Sequence, residues 1–211
     1  MPHFIARRRL LTAGAGLVVA GWAGGAPVAA TVATPRQTEG PFYPPTLPAD
    51  ADFDLVQVTG SAARALGQVT HVSGRVTTPD GRPVAGARVE IWQCDANGVY
   101  LHPRSERAGR RDPGFQGFGA TVTAGDGGYR FRTIRPVPYP GRTPHIHFAV
   151  LAPGRPRLVT QMYVAGEPGN DRDTILRALA PAERAAVVVA LAPADAIEAG
   201  ALAGRFDIVL A

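Results

Sequence analysis

Two histidines two positions apart set the chemical question. His145 and His147 lie in HIHFAV, a run whose β-branched and aromatic residues suit a strand. On a strand, side chains i and i+2 leave the same face with α-carbons about 6.5 to 7 Å apart, so two imidazoles can share one metal ion. Immediately upstream, Pro136-Val137-Pro138-Tyr139-Pro140-Gly141-Arg142-Thr143-Pro144 carries four prolines. They stiffen the loop and hold a phenol and a guanidinium beside the histidine pair with little entropy left to lose on folding.

The remaining ligands decide which metal such a pair would serve. No H-x-D or H-E-x-x-H pattern supplies a carboxylate, and Cys94 is the only cysteine. A zinc hydrolase built on His145 and His147, or a ferrous facial triad, therefore lacks its usual supplement. Tyrosine is the unusual candidate: a free phenol ionises near pH ~10, and at neutral pH only beside a strongly electropositive partner such as ferric iron. Two phenolates and two imidazoles leave Fe(III) with one positive charge, which a hydroxide neutralises, so burial is far less unfavourable than for a bare ion. Tyr139, locked between prolines, is the first candidate ligand, and Tyr100, just past the turn Asn97-Gly98-Val99, is the second. Tyr129 keeps step with Phe131 and reads as core, Tyr163 reads as an ordinary strand aromatic, and Tyr43 lies outside the strands. His71 and His102 read as surface or satisfied polar residues, and Trp92 as core.

The elements that must position these groups are strands. QVTHVSGRVTT, ARVEIWQC, GATVTA, YRFRTI, HIHFAVLA and RLVTQMYVAG are β-branched runs separated by turn signals such as Pro79-Asp80-Gly81 and Gly125-Asp126-Gly127-Gly128. They predict an all-β fold, an antiparallel sandwich, over residues 68–211, with one short helix around Asp171 to Leu179 and final strands at Ala185 to Leu191 and Arg205 to Leu210. Residues 31–67 contain Pro35, Pro41, Pro44, Pro45 and Pro48 and no helical or strand period, which predicts an extended N-terminal arm ordered by packing on the body.

A chain of 211 residues, 45% hydrophobic and 18% charged, is long enough to bury a core, and its single Cys excludes a disulfide scaffold. The formal charge of +5 includes Arg7, Arg8 and Arg9, which precede an uncharged, Gly- and Ala-rich apolar stretch ending in Val28-Ala29-Ala30. Residues 1–30 therefore read as a cleaved export signal, and Arg7-Arg8-Arg9-Leu10-Leu11 fits the twin-arginine pattern for cargo exported already folded. The expected location is periplasmic or extracellular, with no stable membrane span after processing. Downstream of Ala30, 19 arginines face 17 carboxylates, a net of +2 that gives no reason to expect a nucleic-acid partner. Arg104, Arg107, Arg110 and Arg111 cluster after Tyr100 but are interrupted by Glu106 and Asp112, which reads as a solvated loop.

Taken in order, Thr38-Glu39-Gly40-Pro41-Phe42-Tyr43-Pro44, Gly74-Arg75-Val76, Ile91-Trp92-Gln93, Gly98-Val99-Tyr100, Pro138-Tyr139-Pro140, Arg142 through His147 and Thr160-Gln161-Met162-Tyr163 resemble the intradiol ring-cleavage dioxygenases, over about residues 35 to 175. The resemblance implies a non-haem Fe(III) cofactor held by Tyr100, Tyr139, His145 and His147. It also implies catalytic roles for Tyr139, which leaves the metal as base when substrate binds, for Arg142, and for Gln161 near the substrate, holding Arg142 or the substrate in place. The substrates would be dioxygen and a catechol-type ring, opened to a muconate-type diacid. The loop from Tyr139 to His145 looks shorter than in the protocatechuate 3,4-dioxygenases, so the ring substituents do not carry over; the long helical dimerisation arm of the catechol enzymes is not seen, and with its export signal and compact arm the chain resembles an exported branch. A homo-oligomer is compatible with the sequence. Two rival readings stay open: an exported β-sandwich binding module without catalysis, which SGRVTTPDGRPVAGARVEIW also suits, and the zinc hydrolase.

Overall fold

The computed structural model describes residues 32–105 and 110–211. The expected export signal, with Arg7, Arg8 and Arg9, and the loop residues Glu106 and Arg107 lie outside them. Among the described residues, ten strands and two short helices follow in order: β1 (Val69–Thr77), β2 (Arg88–Trp92), β3 (Phe118–Val122), β4 (Gly128–Ile134), β5 (His145–Leu151), β6 (Leu158–Val164), α1 (Thr174–Arg177), α2 (Pro181–Val187), β7 (Val188–Val189), β8 (Ala192–Pro193), β9 (Leu202–Arg205) and β10 (Ile208–Val209). Among the described residues no helix is long and apolar enough to cross a membrane.

The strands form two sheets of five. In the first, β1 pairs antiparallel with β4, while β9 and β10 pair with it in parallel along successive segments and β8 extends β9. The second runs β3-β2-β5-β6-β7, antiparallel except for the β6–β7 pair. This is the expected all-β sandwich with two differences in detail. Where a strand is expected from Ala185, the chain first forms α2, because Pro181 starts a helix and Glu183 accepts from the Ala180 N–H at 2.9 Å, and only then enters β7. The parallel pairings arise where the last strands return beside β1 and β6.

Alternation along the second sheet separates two buried clusters. Val89, Ile91, Ile146, Phe148, Val150 and Met162 join Val72, Val76 and Phe131 in the main core. The opposite face of the same strands carries Trp92, Ala149 and Val159 together with Cys94, Tyr100 and Phe118. On β5 the parity puts His145 and His147 with Ala149 on this outer face. An outer face is normally wet, yet both histidines are buried, because the arm crosses over them. Phe42 and Tyr43 pack on this second cluster. Gln37 lies along β6, its N–H donating to Val159 O at 2.8 Å. Further along, Leu55 and Val56 enter the main core, and Arg132 grips Asp54 and Glu198 at 2.9 and 2.6 Å. The arm is thus extended, as its prolines predict, and closes a second core over the sheet.

Candidate active site

Each of the four candidate ligands is aimed by its own local device. The buried carboxylate of Asp95 accepts from the N–H groups of Asn97 and Val99, both at 2.9 Å, and from Asp112 N–H at 2.6 Å. With Gly98 in the left-handed region (φ 76°), this turn delivers Tyr100 onto the outer face rather than the rim of the sandwich. Tyr139 opens a tight turn in which Arg142 N–H returns to its carbonyl at 2.9 Å and Gly141 takes φ 80°. His145 Nδ1 lies 2.6 Å from Thr143 O. A carbonyl only accepts, so Nδ1 carries the proton and Nε2 presents its lone pair. His147 stacks on Trp92, its cross-strand partner, at 4.8 Å between centroids and 8° between planes.

The four side chains meet at His145 Nε2. His147 Nε2 is 3.3 Å from it, Tyr139 Oη 3.3 Å and Tyr100 Oη 3.5 Å. Atoms bound to one ion at about 2.0–2.1 Å stand roughly 3 to 3.5 Å from one another, so these donors have the spacing of a single coordination shell. His147 Nδ1 is buried with no hydrogen-bond partner among the described residues, so the ring's polar contact is the approach of its Nε2 to His145. Among those residues no three of His, Cys, Asp and Glu gather as a metal site, which leaves the two phenols to complete any shell. His71 pairs with Glu198 at 3.2 Å and His102 accepts from Arg104 N–H at 3.0 Å, both away from this point.

Burial sets the resting protonation. It pushes the His145 imidazolium down to about 3, with the Arg142 charge adding to the effect, and drives His147 well below the ordinary histidine range. Both rings are therefore neutral and able to ligate. The same desolvation raises Tyr100 well above an ordinary phenol and raises Tyr139 too. Without a cation both stay protonated, so ionising them requires a partner of high positive charge. Access is one-sided: Tyr100, His145 and His147 are 2, 1 and 2% exposed, whereas Tyr139 is half-buried. Tyr139 and Arg142 line an open cavity of about 450 Å³ with Pro138, Gly169 and Arg172.

Around the four lies a polar frame that reading the sequence caught only in part. Arg142 and Gln161, both expected, are joined at 2.5 Å from Nη2 to Oε1. Tyr163, expected as an ordinary strand aromatic, belongs to this frame: its hydroxyl donates to Gln161 Oε1 at 3.0 Å and accepts from Gln37 Nε2 at 3.0 Å. Its parity with Gln161, two positions before it on a β-like run, was the available signal. Trp92 is core, as expected, but also the platform for His147. Phe42 of the arm stacks on Tyr100 at 4.8 Å, and Asp173 holds Arg142 Nε at 2.8 Å.

The family model described as Dioxygenase matches residues 38–211. The protocatechuate 3,4-dioxygenase beta chain of Burkholderia cepacia is 37% identical over 167 residues, covering 75% of this chain and 71% of that one. A hydroxyquinol 1,2-dioxygenase of Nocardioides simplex is 38% identical over 134 residues, 54% of this chain but 43% of its own length. Among solved structures, the dioxygenase domain of a dioxygenase carbohydrate-binding protein fusion from the cellulolytic bacterium Streptomyces sp. SirexAA-E superposes with a TM-score of 0.65 at 36% identity, covering 85% of this chain and 98% of that one. A match that spans both the arm and the two sheets places this chain in the intradiol ring-cleavage dioxygenase family.

Proposed function

We propose that the chain is a non-haem ferric dioxygenase that cleaves a catechol-type ring between its two hydroxylated carbons, incorporating both atoms of dioxygen into a muconate-type diacid. The observation that carries this reading is the approach of two phenol oxygens and one imidazole nitrogen to within 3.3–3.5 Å of His145 Nε2. Fe(III) held by Tyr100, Tyr139, His145 and His147 would supply a Lewis acid that draws electron density from a bound catecholate. The chain's own groups do the rest. Tyr139, the one candidate ligand with an open side, takes up a substrate proton at its oxygen as the ring enters. Arg142 Nη1 lies 3.4 Å from that oxygen, so its charge faces the point where negative charge moves between phenol and substrate. Gln161 keeps the guanidinium there, and Phe42, Tyr100 and Trp92 exclude water from the buried side.

Iron-loaded protein should be red to purple from phenolate-to-ferric charge transfer, and catechol should shift the band. Oxygen uptake on catechol, protocatechuate, hydroxyquinol and larger lignin-like catechols then identifies the ring accepted. Tyr139→Phe should alter the band and abolish turnover with an unchanged far-UV spectrum. A colourless iron-replete protein would leave the binding-module reading, and zinc in protein purified without chelators would leave the hydrolase.

We further propose that residues 1–30 direct export of the folded protein by the twin-arginine route to the periplasm or beyond. The support is the pattern Arg7-Arg8-Arg9-Leu10-Leu11 with small residues at Val28-Ala29-Ala30.

A further inference from the structure

The carboxylate of Asp173 is closed off from solvent, its side chain 0% exposed. A buried charge is tolerated only when it is fully paired, and this one is. Its Oδ1 accepts from Ile175 and Leu176 N–H, both at 3.0 Å, capping α1. Its Oδ2 accepts from Arg142 Nε at 2.8 Å and from Thr143 N–H at 3.1 Å. Capping by itself asks for neither a charge nor burial, since Asn, Ser and Thr cap as well from the surface. The second oxygen therefore calls for a separate explanation.

A guanidinium has five N–H donors in a rigid plane, and here their assignment is nearly complete. Nε goes to Asp173, and Nη2 to Gln161 Oε1 at 2.5 Å with Tyr163 Oη at 3.5 Å. Nη1 is left with Tyr139 Oη at 3.4 Å. Two held nitrogens fix the plane, whereas one would let it swing about Gln161. The same carboxylate also holds Thr143, whose carbonyl orients His145 at 2.6 Å. It also balances the Arg142 charge beside the four ligands.

We propose that Asp173 is a positioning residue, one whose carboxylate turns Arg142 so that only its Nη1 edge faces Tyr139 and the entering substrate. The proposal rests on the ring-cleavage reading for its kinetic consequence, while its spectroscopic consequence needs only bound iron. The test compares Asp173→Asn, Asp173→Ser, Arg142→Gln and the double variants, all iron-loaded. Asn and Ser both keep a cap for α1, and Ser cannot reach Arg142. Each single Asp173 variant should keep its iron and lose 10- to 100-fold in kcat, with KM moved by less than about 3-fold. Each double variant should be at most about 3-fold slower than Arg142→Gln, the remainder coming from the Thr143 contact, because most of the effect passes through Arg142. The visible band of Asp173→Ser should shift in the same direction as that of Arg142→Gln, since both release Nη1 from the Tyr139 oxygen. Unchanged kcat, losses that add in the double variants, an unshifted band, or iron lost from both single variants would overturn the proposal. A wild type that binds iron with colour but consumes no oxygen on any catechol would instead overturn the ring-cleavage reading, and the band comparison would still decide for or against Asp173.

Discussion

Imidazoles, phenols and carboxylates respond differently to being taken out of water, and at this centre burial prepares the histidines while holding back the tyrosines. The neutral state of His145 has a measurable consequence for the metal-free protein. Its folded value of about 3 lies below the ~6.5 of an unfolded chain, so between these values the unfolded state binds more protons. The contribution of the buried neutral ring is complete above pH ~6.5 and is lost as pH falls toward about 3. Glu198, held down to about 2 chiefly by its hydrogen bonds from Arg132, loses its contribution in the same direction, beginning only below the ~4.3 of an ordinary Glu. Thermal unfolding of metal-free protein should therefore show Tm already falling between pH 7 and 5, from the histidines, and falling further below that. A Tm unchanged from pH 7 to 5 would contradict neutral, buried imidazoles.

At the scale of elements, β1 is the strand on which the first sheet depends, and Gly74 is its tightest point. A Cβ there would stand 1.9 Å from Phe206 O and 2.9 Å from Tyr129 Oη, the hydroxyl that donates to that same carbonyl. Gly74→Ala must push the β9–β10 segment off β1, and should cost at least about 3 kcal/mol in denaturant unfolding. The candidate ligands His145 and His147 sit on the other sheet, and Tyr100 and Tyr139 in loops packed on it, so iron content and band position should be kept in whatever fraction remains folded. A loss below about 1 kcal/mol would mean that the last strands are held by something other than this contact. The six longer strands were legible from β-branched runs and Gly turns, and the meeting of two histidines on one sheet face from their spacing of two. What escaped was whatever depends on partners remote in sequence. The arm has no period to betray that it covers a sheet face, Val187-Val188-Val189 reads as strand although Pro181 has already begun a helix, and no local pattern links Asp173 to Arg142, 31 residues away.

For the whole molecule, surplus charge is modest and its densest run lies in the segment read as the export signal. If export follows the twin-arginine route, the mature protein should begin at Thr31, and replacing Arg7 and Arg8 together by Lys should leave the chain in the cytoplasm. N-terminal sequencing and fractionation measure both, and export unaffected by that double replacement would remove the route.

The arm that roofs the candidate ligand cluster is tied to β10: Thr34 N–H donates to Val209 O at 3.0 Å, and Val209 N–H to Thr34 Oγ1 at 2.9 Å. That tie joins residues 175 apart in sequence, so it forms only once the last strand has docked beside β1. A metal ion taken up before β10 docks would enter a vessel whose lid is still unlatched.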